Sequence, residues 1–399
     1  MKMDSDASFL PEEIVLNILK RLPVKSLIRF QSVCKHWKNV INSRYFVADH
    51  LHYSSLQNPC LLFQQSSMSV RLLDCGLQLQ DREFQNALLI NSLKGATTGI
   101  VGSCNGVLCV EIHRCNVSPP SLLLWNPANR EFRHVPRTRK YIDSDDCMVG
   151  FGYSPIVDDY KIVRTYSEFD DSVNRVEVFS LRRGSWRGIN IGNLKGVKLH
   201  SETVTANGAI FWSGLKLGLD KDEYDIEEHE DDIEESEDDI REGEGDTEVI
   251  VSFDIAKEVF TLMPRPDLDH NAEEKLAVYQ DRLAILFDIW EDDGHDNDDG
   301  MSSLIELWVM EKGPNAFGEG WNWTKLYTGS PSSLYPMAIW RNEIVCKSSS
   351  EEDEDEGRND LYLLNISTNE TKGFDIPRWV DAHSTYNYAE SLVSICNFR

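Results

Sequence analysis

Two Asn-Gly pairs constrain the fold of this chain more than any other feature, because each lies between apolar runs that a tight turn would pair as antiparallel strands. The copies read Ser-Cys-Asn105-Gly106-Val-Leu-Cys-Val and Thr-Ala-Asn207-Gly208-Ala-Ile-Phe-Trp. Such a turn needs positive φ, which Asn tolerates and Gly adopts freely. Trp340-Arg341-Asn342-Glu343-Ile-Val is a weaker third copy. Each predicted hairpin leads to a strand ending in Asn or Asp and then to a Pro: Asn126 with Pro136, Asp254 with Pro264, Asn365 with Pro377. A second kind of unit lies between these copies. Val176 to Leu181 and Ile305 to Met310 share alternation, a Glu and an aromatic, and each precedes a strand opening on a Trp, Trp186 or Trp323. Asn126 to Asp254 spans 128 positions and Glu177 to Glu306 spans 129, so both unit types follow one super-period. Short alternating strands repeated on this scale predict propeller blades of about four strands each. Five blades fall between residues 99 and 377. Pro59 to Leu93 and Ser391 to Cys396 are expected to pair as a sixth, joining the two ends of the array and removing exposed sheet edges.

With 399 residues, the chain has room for two structural units. Its formal net charge of -27 is localised. Asp220 to Asp246 carries a net -15, and Glu291 to Asp299 and Glu351 to Glu356 carry -6 each, which accounts for the whole excess. The rest is close to neutral, which argues against nucleic-acid binding, since that requires a basic face. The run at 220–246 is too acidic to bury a core and is expected to be a disordered insertion. It reads either as a lure for a basic substrate or as a solvated loop. No signal-peptide pattern and no apolar run of about 18 residues occurs, so neither secretion nor a membrane span is expected. The nine scattered Cys then read as reduced thiols in the cytoplasm or nucleus, and the four Asn-x-Ser/Thr sequons as chance.

From Leu10 to Phe46 the pattern changes from period two to helical. Pro11 suits a first helical position, and Glu12 and Glu13 follow where the helix dipole favours anions. Ile14, Val15, Ile18, Leu19 and Leu22 form an apolar stripe, and Pro23 stops that helix. A short helix is predicted around Ser26 to Phe30, and a third from about Cys34 to Asn42 with Trp37, Val40 and Ile41 on one side. Three helices this short cannot bury all their apolar faces against one another. Either a partner covers the remainder or the helices cap the following domain.

The Leu-Pro pair, the Leu22-Pro23-Val-Lys-Ser-Leu27 segment and the Arg-Phe-x-x-Val33-Cys34-Lys-x-Trp37 string resemble an F-box in its plant form. The resemblance implies docking on a Skp-type adaptor, through which a cullin scaffold brings a ubiquitin-conjugating enzyme near a substrate. Carried onto this sequence, it marks Leu10, Pro11, Ile14, Leu22, Pro23, Leu27, Val33, Cys34 and Trp37 as adaptor-facing or F-box-shaping; the sequence does not separate those two roles.

Beyond the F-box, the chain lacks the Trp-Asp ending of WD repeats and the Gly-Gly doublet of true kelch motifs. It resembles instead the plant F-box-associated domain of F-box/kelch-repeat proteins, similar in layout to S-locus F-box proteins. The motifs are Asn-Gly-Val-Leu-Cys-Val, Leu-Trp-Asn-Pro-Ala-Asn-Arg-Glu-Phe-Arg, Phe-Gly-Tyr-Ser-Pro with Asp-Asp-Tyr-Lys-Ile-Val-Arg, and Tyr388-Ala-Glu-Ser-Leu-Val. The expected fold class is multidomain α+β: an F-box over 1–50, linker strands over 51–98, and an all-β propeller of about six blades over 99–399. The implied function is substrate recognition within a ubiquitin ligase, with no catalysis by this chain and no cofactor. Aromatic and Arg anchors on a propeller face would bind the substrate. Tyr141, Arg164, Tyr166, Trp290, Trp340 and Trp379 are candidates, with blade packing as the alternative for each. Rival readings are an F-box scaffold without a degradation substrate, and a carbohydrate-binding propeller suggested by the ten Trp.

Constellations for chemistry are missing. There is no Cys-x-x-Cys, P-loop or Gly-x-Ser-x-Gly elbow. Cys104, Cys109, His113 and Cys115 read as zinc ligands or as buried thiols, and the strand predicted through them favours the latter. The acidic run at 292–300 fails the EF-hand spacing.

Overall fold

In the computed structural model, which describes residues 10–66, 69–83, 95–115, 117–138, 146–167, 171–218, 245–268, 272–290, 303–311, 321–331, 334–348, 358–377 and 381–398, four helices precede an all-β propeller of six blades. The helices are α1 (Glu12–Leu19), α2 (Val24–Phe30), α3 (Lys35–Ile41) and α4 (Arg44–Gln57). The first blade combines β1 (Cys60–Ser66), β2 (Ser69–Leu73) and β3 (Leu79–Glu83) with the last strand, β24 (Asp381–Tyr388), in the order β24-β1-β2-β3. The second holds β4 (Thr97–Cys104), β5 (Val107–Arg114), β6 (Val117–Asn126) and β7 (Glu131–His134), and the third β8 (Asp146–Ser154), β9 (Asp159–Ser167), β10 (Val173–Ser180) and β11 (Ser185–Ile189). The fourth holds β12 (Val197–Ala206), β13 (Ala209–Lys216), β14 (Thr247–Asp254) and β15 (Val259–Pro264). The fifth holds β16 (Ala272–Tyr279), β17 (Arg282–Trp290), β18 (Ser303–Glu311) and β19 (Asn322–Gly329). The sixth holds β20 (Leu334–Trp340), β21 (Glu343–Ser348), β22 (Arg358–Asn365) and β23 (Thr371–Pro377). Two compact units divide the described residues, one within Met1–Arg137, Glu352–Tyr362 and Lys372–Arg399, the other within Thr138–Glu351 and Leu363–Thr371.

The strands ending in Asn126, Asp254 and Asn365 stop there for a local reason. Each of these side chains folds back and accepts the amides two and three residues on: Ala128 and Asn129, Ala256 and Lys257, Ser367 and Thr368, at 2.9–3.4 Å. This Asx-turn replaces ladder bonds that the strand gives up. The chain then re-enters the sheet through a left-handed residue, Arg130, Glu258 or Asn369, with φ near 60°. The Glu shared by the second kind of unit is buried and hydrogen-bonded inside its blade. Glu177 accepts from Tyr166 and Thr138, and Glu306 from the Trp308 indole and Lys325.

Two sequence expectations are corrected. The strand that closes the first blade is Asp381–Tyr388, which pairs with β1 from Cys60↔Tyr388 onward, whereas Ser391 to Cys396 is irregular. Its carbonyls and amides are bound instead by side chains of the β6–β7 turn and β7. Asn126 donates to Ser391 O and Val393 O, Asn129 to Val393 O, and Arg133 to Ile395 O. Glu131 accepts the Ile395 amide. Residues 51–98, read as linker strands, contain the end of α4 and three full strands of the first blade. Of the acidic tract at 220–246, residues 220–244 lie outside the described residues, and Asp246 at its end accepts the Gly218 amide at 2.9 Å.

Close approach governs several glycines, and two of them show what it does. In the second unit a Cβ on Gly150 would stand 2.4 Å from the buried Trp212 ring, so β8 packs directly against blade four. Gly106, at φ +74°, would place a Cβ 2.4 Å from Ser391 Cβ and 2.5 Å from Ala389 O. Gly106→Ala combines left-handed strain of about 1–2 kcal/mol with overpacking of about 1–3 kcal/mol. Gly192→Ala, at φ +52° with nothing within 4 Å, carries only the first cost. Urea denaturation should place Gly106→Ala clearly below Gly192→Ala in stability.

Candidate docking site

The four N-terminal helices are short, and side chains fix their boundaries. Pro11 and Pro23 precede α1 and α2 in extended conformation (ψ 142° and 146°), and Pro lacks the amide that the first turn leaves unbonded. Cys34 caps α3, its Sγ accepting the Trp37 amide at 3.4 Å, and Ser43 caps α4 through the Phe46 amide at 3.3 Å. The imidazole of His50 on α4 donates from Nε2 to the Leu22 carbonyl at 3.0 Å, tying α4 to the α1–α2 turn. Sequence reasoning missed α4 because its buried face runs Phe46, His50, Ser54, helical in spacing but polar in two of three positions. Leu19, Val24, Leu27, Ile41 and Phe46 form the core under the helices, completed by Leu392. Half-buried Leu22, Phe30, Trp37 and Ala128 pack around it.

Outside that core the same helices leave large apolar side chains in solvent. Leu10 is 60% exposed, Ile14 47%, Ile18 49%, Ile28 38% and Val33 61%. The apolar stripe of α1 is thus two stripes. Val15 and Leu19 face the core, and Ile14 and Ile18, one residue earlier in each turn, face away. On α4, Tyr45 and Leu56 are exposed as well, at 92% and 64%. Of the nine residues marked by sequence, Leu10, Pro11, Ile14, Pro23, Val33 and Cys34 are exposed, while Leu22 and Trp37 are half-buried against the core. Leu27 is fully buried and shapes the interior, so it is removed from the set that can touch a partner. Ile18 and Ile28 join that set; the spacing of Ile18 one turn from Ile14 was the available signal, whereas Ile28 lies one turn from buried Val24 and had none.

The candidates for substrate contact fare differently. Arg164, Tyr166 and Trp340 are 1–3% exposed and pack inside blades of the second unit, as the alternative reading had it. The Tyr166 hydroxyl donates to Glu177 at 2.8 Å and burial pushes it up to about 12. Arg175 stacks on its ring at 3.8 Å, and Arg164 on Trp186 at 5.1 Å. Trp290 is half-buried. Tyr141 and Trp379 lie outside the described residues. In the same unit β16 adjoins both β12 and β20, and these strands carry paired polar groups. Tyr335 donates to Glu273 at 2.6 Å, and Lys275 meets Glu202 at 3.2 Å. Behind them Asp288 is buried opposite Glu273.

A helical module with exposed apolar side chains thus precedes a six-bladed propeller. The chain matches the F-box domain family over residues 8–49 and the F-box associated beta propeller domain family over residues 62–395, and it belongs to the latter family. Its relatives in Arabidopsis thaliana include the F-box/kelch-repeat protein At3g23880, 26% identical over 83% of this chain and 82% of that one, and the F-box protein At3g07870, 25% identical over 84% and 77%. A further Arabidopsis F-box protein, At3g16210, is 33% identical over 45% of this chain, a match spanning about half (46%) of its own length.

Burial, reinforced by Glu273, raises the Asp288 carboxyl to about 6. The unfolded chain therefore releases this proton first as pH rises. Stability contributed by this group falls between about pH 4 and pH 6, by about 3 kcal/mol, and is level above. Asp288→Asn should flatten that segment of the stability–pH curve, measured by denaturant midpoints between pH 4 and 7.

Proposed function

We propose that this chain is the substrate-recognition subunit of a Skp–cullin–F-box ubiquitin ligase, working in the cytoplasm or nucleus. The outward apolar face of α1 and α2, with Leu10 and Val33, docks on a Skp-type adaptor, and the propeller holds a protein substrate. The chain supplies position rather than bond-making. A lysine of the bound substrate is held where a charged conjugating enzyme can reach it, and the rate gain is one of effective concentration and orientation. The observation that carries this reading is the set of five large apolar side chains on and beside α1 and α2, each 38–61% exposed, outside a helical core that Leu392 completes. Burying such side chains against a partner contributes up to about 1.5–3 kcal/mol apiece, enough for a stable complex from a small module.

Interior and surface positions should separate cleanly in experiment. Ile14→Ala and Val33→Ala should each weaken adaptor binding about tenfold with little change in the unfolding midpoint. Leu27→Ala should destabilise the helices by about 2–5 kcal/mol. Surface plasmon resonance against the adaptor, paired with urea melts, reads both. Adaptor binding that is unaltered in the Ile14→Ala/Val33→Ala double variant would remove the assignment. Ubiquitin transfer to co-purified proteins in the reconstituted complex tests the substrate half; adaptor binding with persistent absence of transfer would leave an interaction scaffold instead.

A further inference from the structure

A cleft of about 850 Å³ opens within the first unit, between the F-box helices and the first two blades. This is the size of a small-molecule site. Most charged groups in its wall already have partners. Lys20 meets Asp49 at 3.3 Å and Arg82 meets Glu390 at 3.2 Å. Among the acids, Asp81 is taken by Arg71 at 2.6 Å, and Asp74 accepts the amides of Gly76 and Gln78 at 2.9 Å. What is left is a smaller exposed excess of positive charge. Arg21, Lys25 and Arg130 line the cleft with no ion pair to a described residue, opposed by Glu83 and by Asp74, whose hydrogen-bonded carboxylate keeps its charge. The surrounding field has the same sign, since Glu12–Gln57 holds seven Lys and Arg against three Asp and Glu in a chain of net charge -27.

Two further features point to an occupant. Arg130 occupies the left-handed position of its turn, at φ 64°, which a bulky residue adopts only under strain. In the sister turn of blade four that position is Glu258, also left-handed, and there its carboxylate clamps Lys161 and Arg187. Arg130 carries the same strain without such a clamp. The second feature is His50, 3% exposed, in the cleft wall. Its Nε2 must bear the proton that the Leu22 carbonyl accepts, and burial holds the ring below its ordinary pKa, hence neutral. Nδ1 is then a bare acceptor, and it is buried with no hydrogen-bond partner among the described residues. A buried acceptor in that state calls for an O–H or N–H donor.

We propose that this cleft binds a small hydroxyl-bearing organic anion, its phosphate or carboxylate held by Arg21, Lys25 and Arg130 and its hydroxyl donating to His50 Nδ1. Such a ligand would lie between the docking helices and the propeller. The site goes beyond the ligase reading and does not depend on it.

Calorimetric titration of the full chain with glucose 6-phosphate and with citrate tests the site and tells phosphate from carboxylate, with sorbitol as the uncharged control. At least one anion should bind saturably, more weakly at high salt, and sorbitol should not bind. The triple variant Arg21→Ala/Lys25→Ala/Arg130→Asn should bind at least tenfold more weakly with an unchanged ligand-free unfolding midpoint, since all three side chains are exposed and Asn tolerates the left-handed turn. Glu83→Gln should bind more tightly. Saturable binding by neither anion, or equal affinity in the triple variant, overturns the proposal. If the triple variant lowers the unfolding midpoint, Glu83→Gln decides, and an affinity no tighter than wild type overturns it.

Discussion

Residues 391–396 run between the F-box helices and the β6–β7 turn, and main-chain groups do most of the holding. Asn126, itself fully buried, donates to the Ser391 and Val393 carbonyls and Asn129 shares the second of these, while Arg133 and Glu131 bind the carbonyl and amide of Ile395. One side chain of the same segment, Leu392, enters the helical core beside Leu19 and Phe46. An irregular backbone can be buried only if its polar groups are matched, and here they are matched by side chains that the β6–β7 turn was already presenting. The placement of the docking helices in the first unit follows from this contact. So does the need for glycine at position 106, where Ala389 O and Ser391 leave no room for a Cβ.

This contact also unites two motifs that in the sequence look unrelated. Leu-Trp-Asn126-Pro-Ala-Asn129-Arg130-Glu131 and Tyr388-Ala-Glu-Ser-Leu392-Val lie at opposite ends of the propeller and each resembles a family signature. In space they form one hydrogen-bonded unit. The doubling of roles at Asn126 explains why a strand should end on that residue. Its Oδ1 makes the local turn while its Nδ2 binds the distant segment. Asp254, at the matching place in blade four, has no amide nitrogen to offer and makes the turn and a surface contact with Lys257.

Local rules made most of the architecture legible. Asn-Gly turns, strands ending at Asx residues and the alternating Glu-aromatic units all depend on neighbours within a few positions, and the blades built from them are present. What escaped was set by distant partners. The closing strand Asp381–Tyr388 reads Asp-Ala-His-Ser-Thr-Tyr-Asn-Tyr, too polar to mark itself, and becomes a strand because β1 supplies the ladder and Tyr386 reaches the Ile100 carbonyl at 2.5 Å. Helix α4 buries His50 because the Leu22 carbonyl is there to receive it. At the docking face, Ile14 and Leu27 are equally apolar and equally part of the motif, and only the packing of four helices assigns one outward and the other inward. Arg164 and Tyr166 had the residue types of a binding surface, yet Glu177 and Trp186 draw them inside a blade.

The clasp at 391–396 joins residues 262 to 267 positions apart. Contacts of that span form late, because a long loop must close before they return anything. The helical core therefore stays without Leu392 until the first blade has its fourth strand and the β6–β7 turn is in place. Kinetically, a finished helical module reports a finished first unit: molecules stalled with that blade open would present loosened helices.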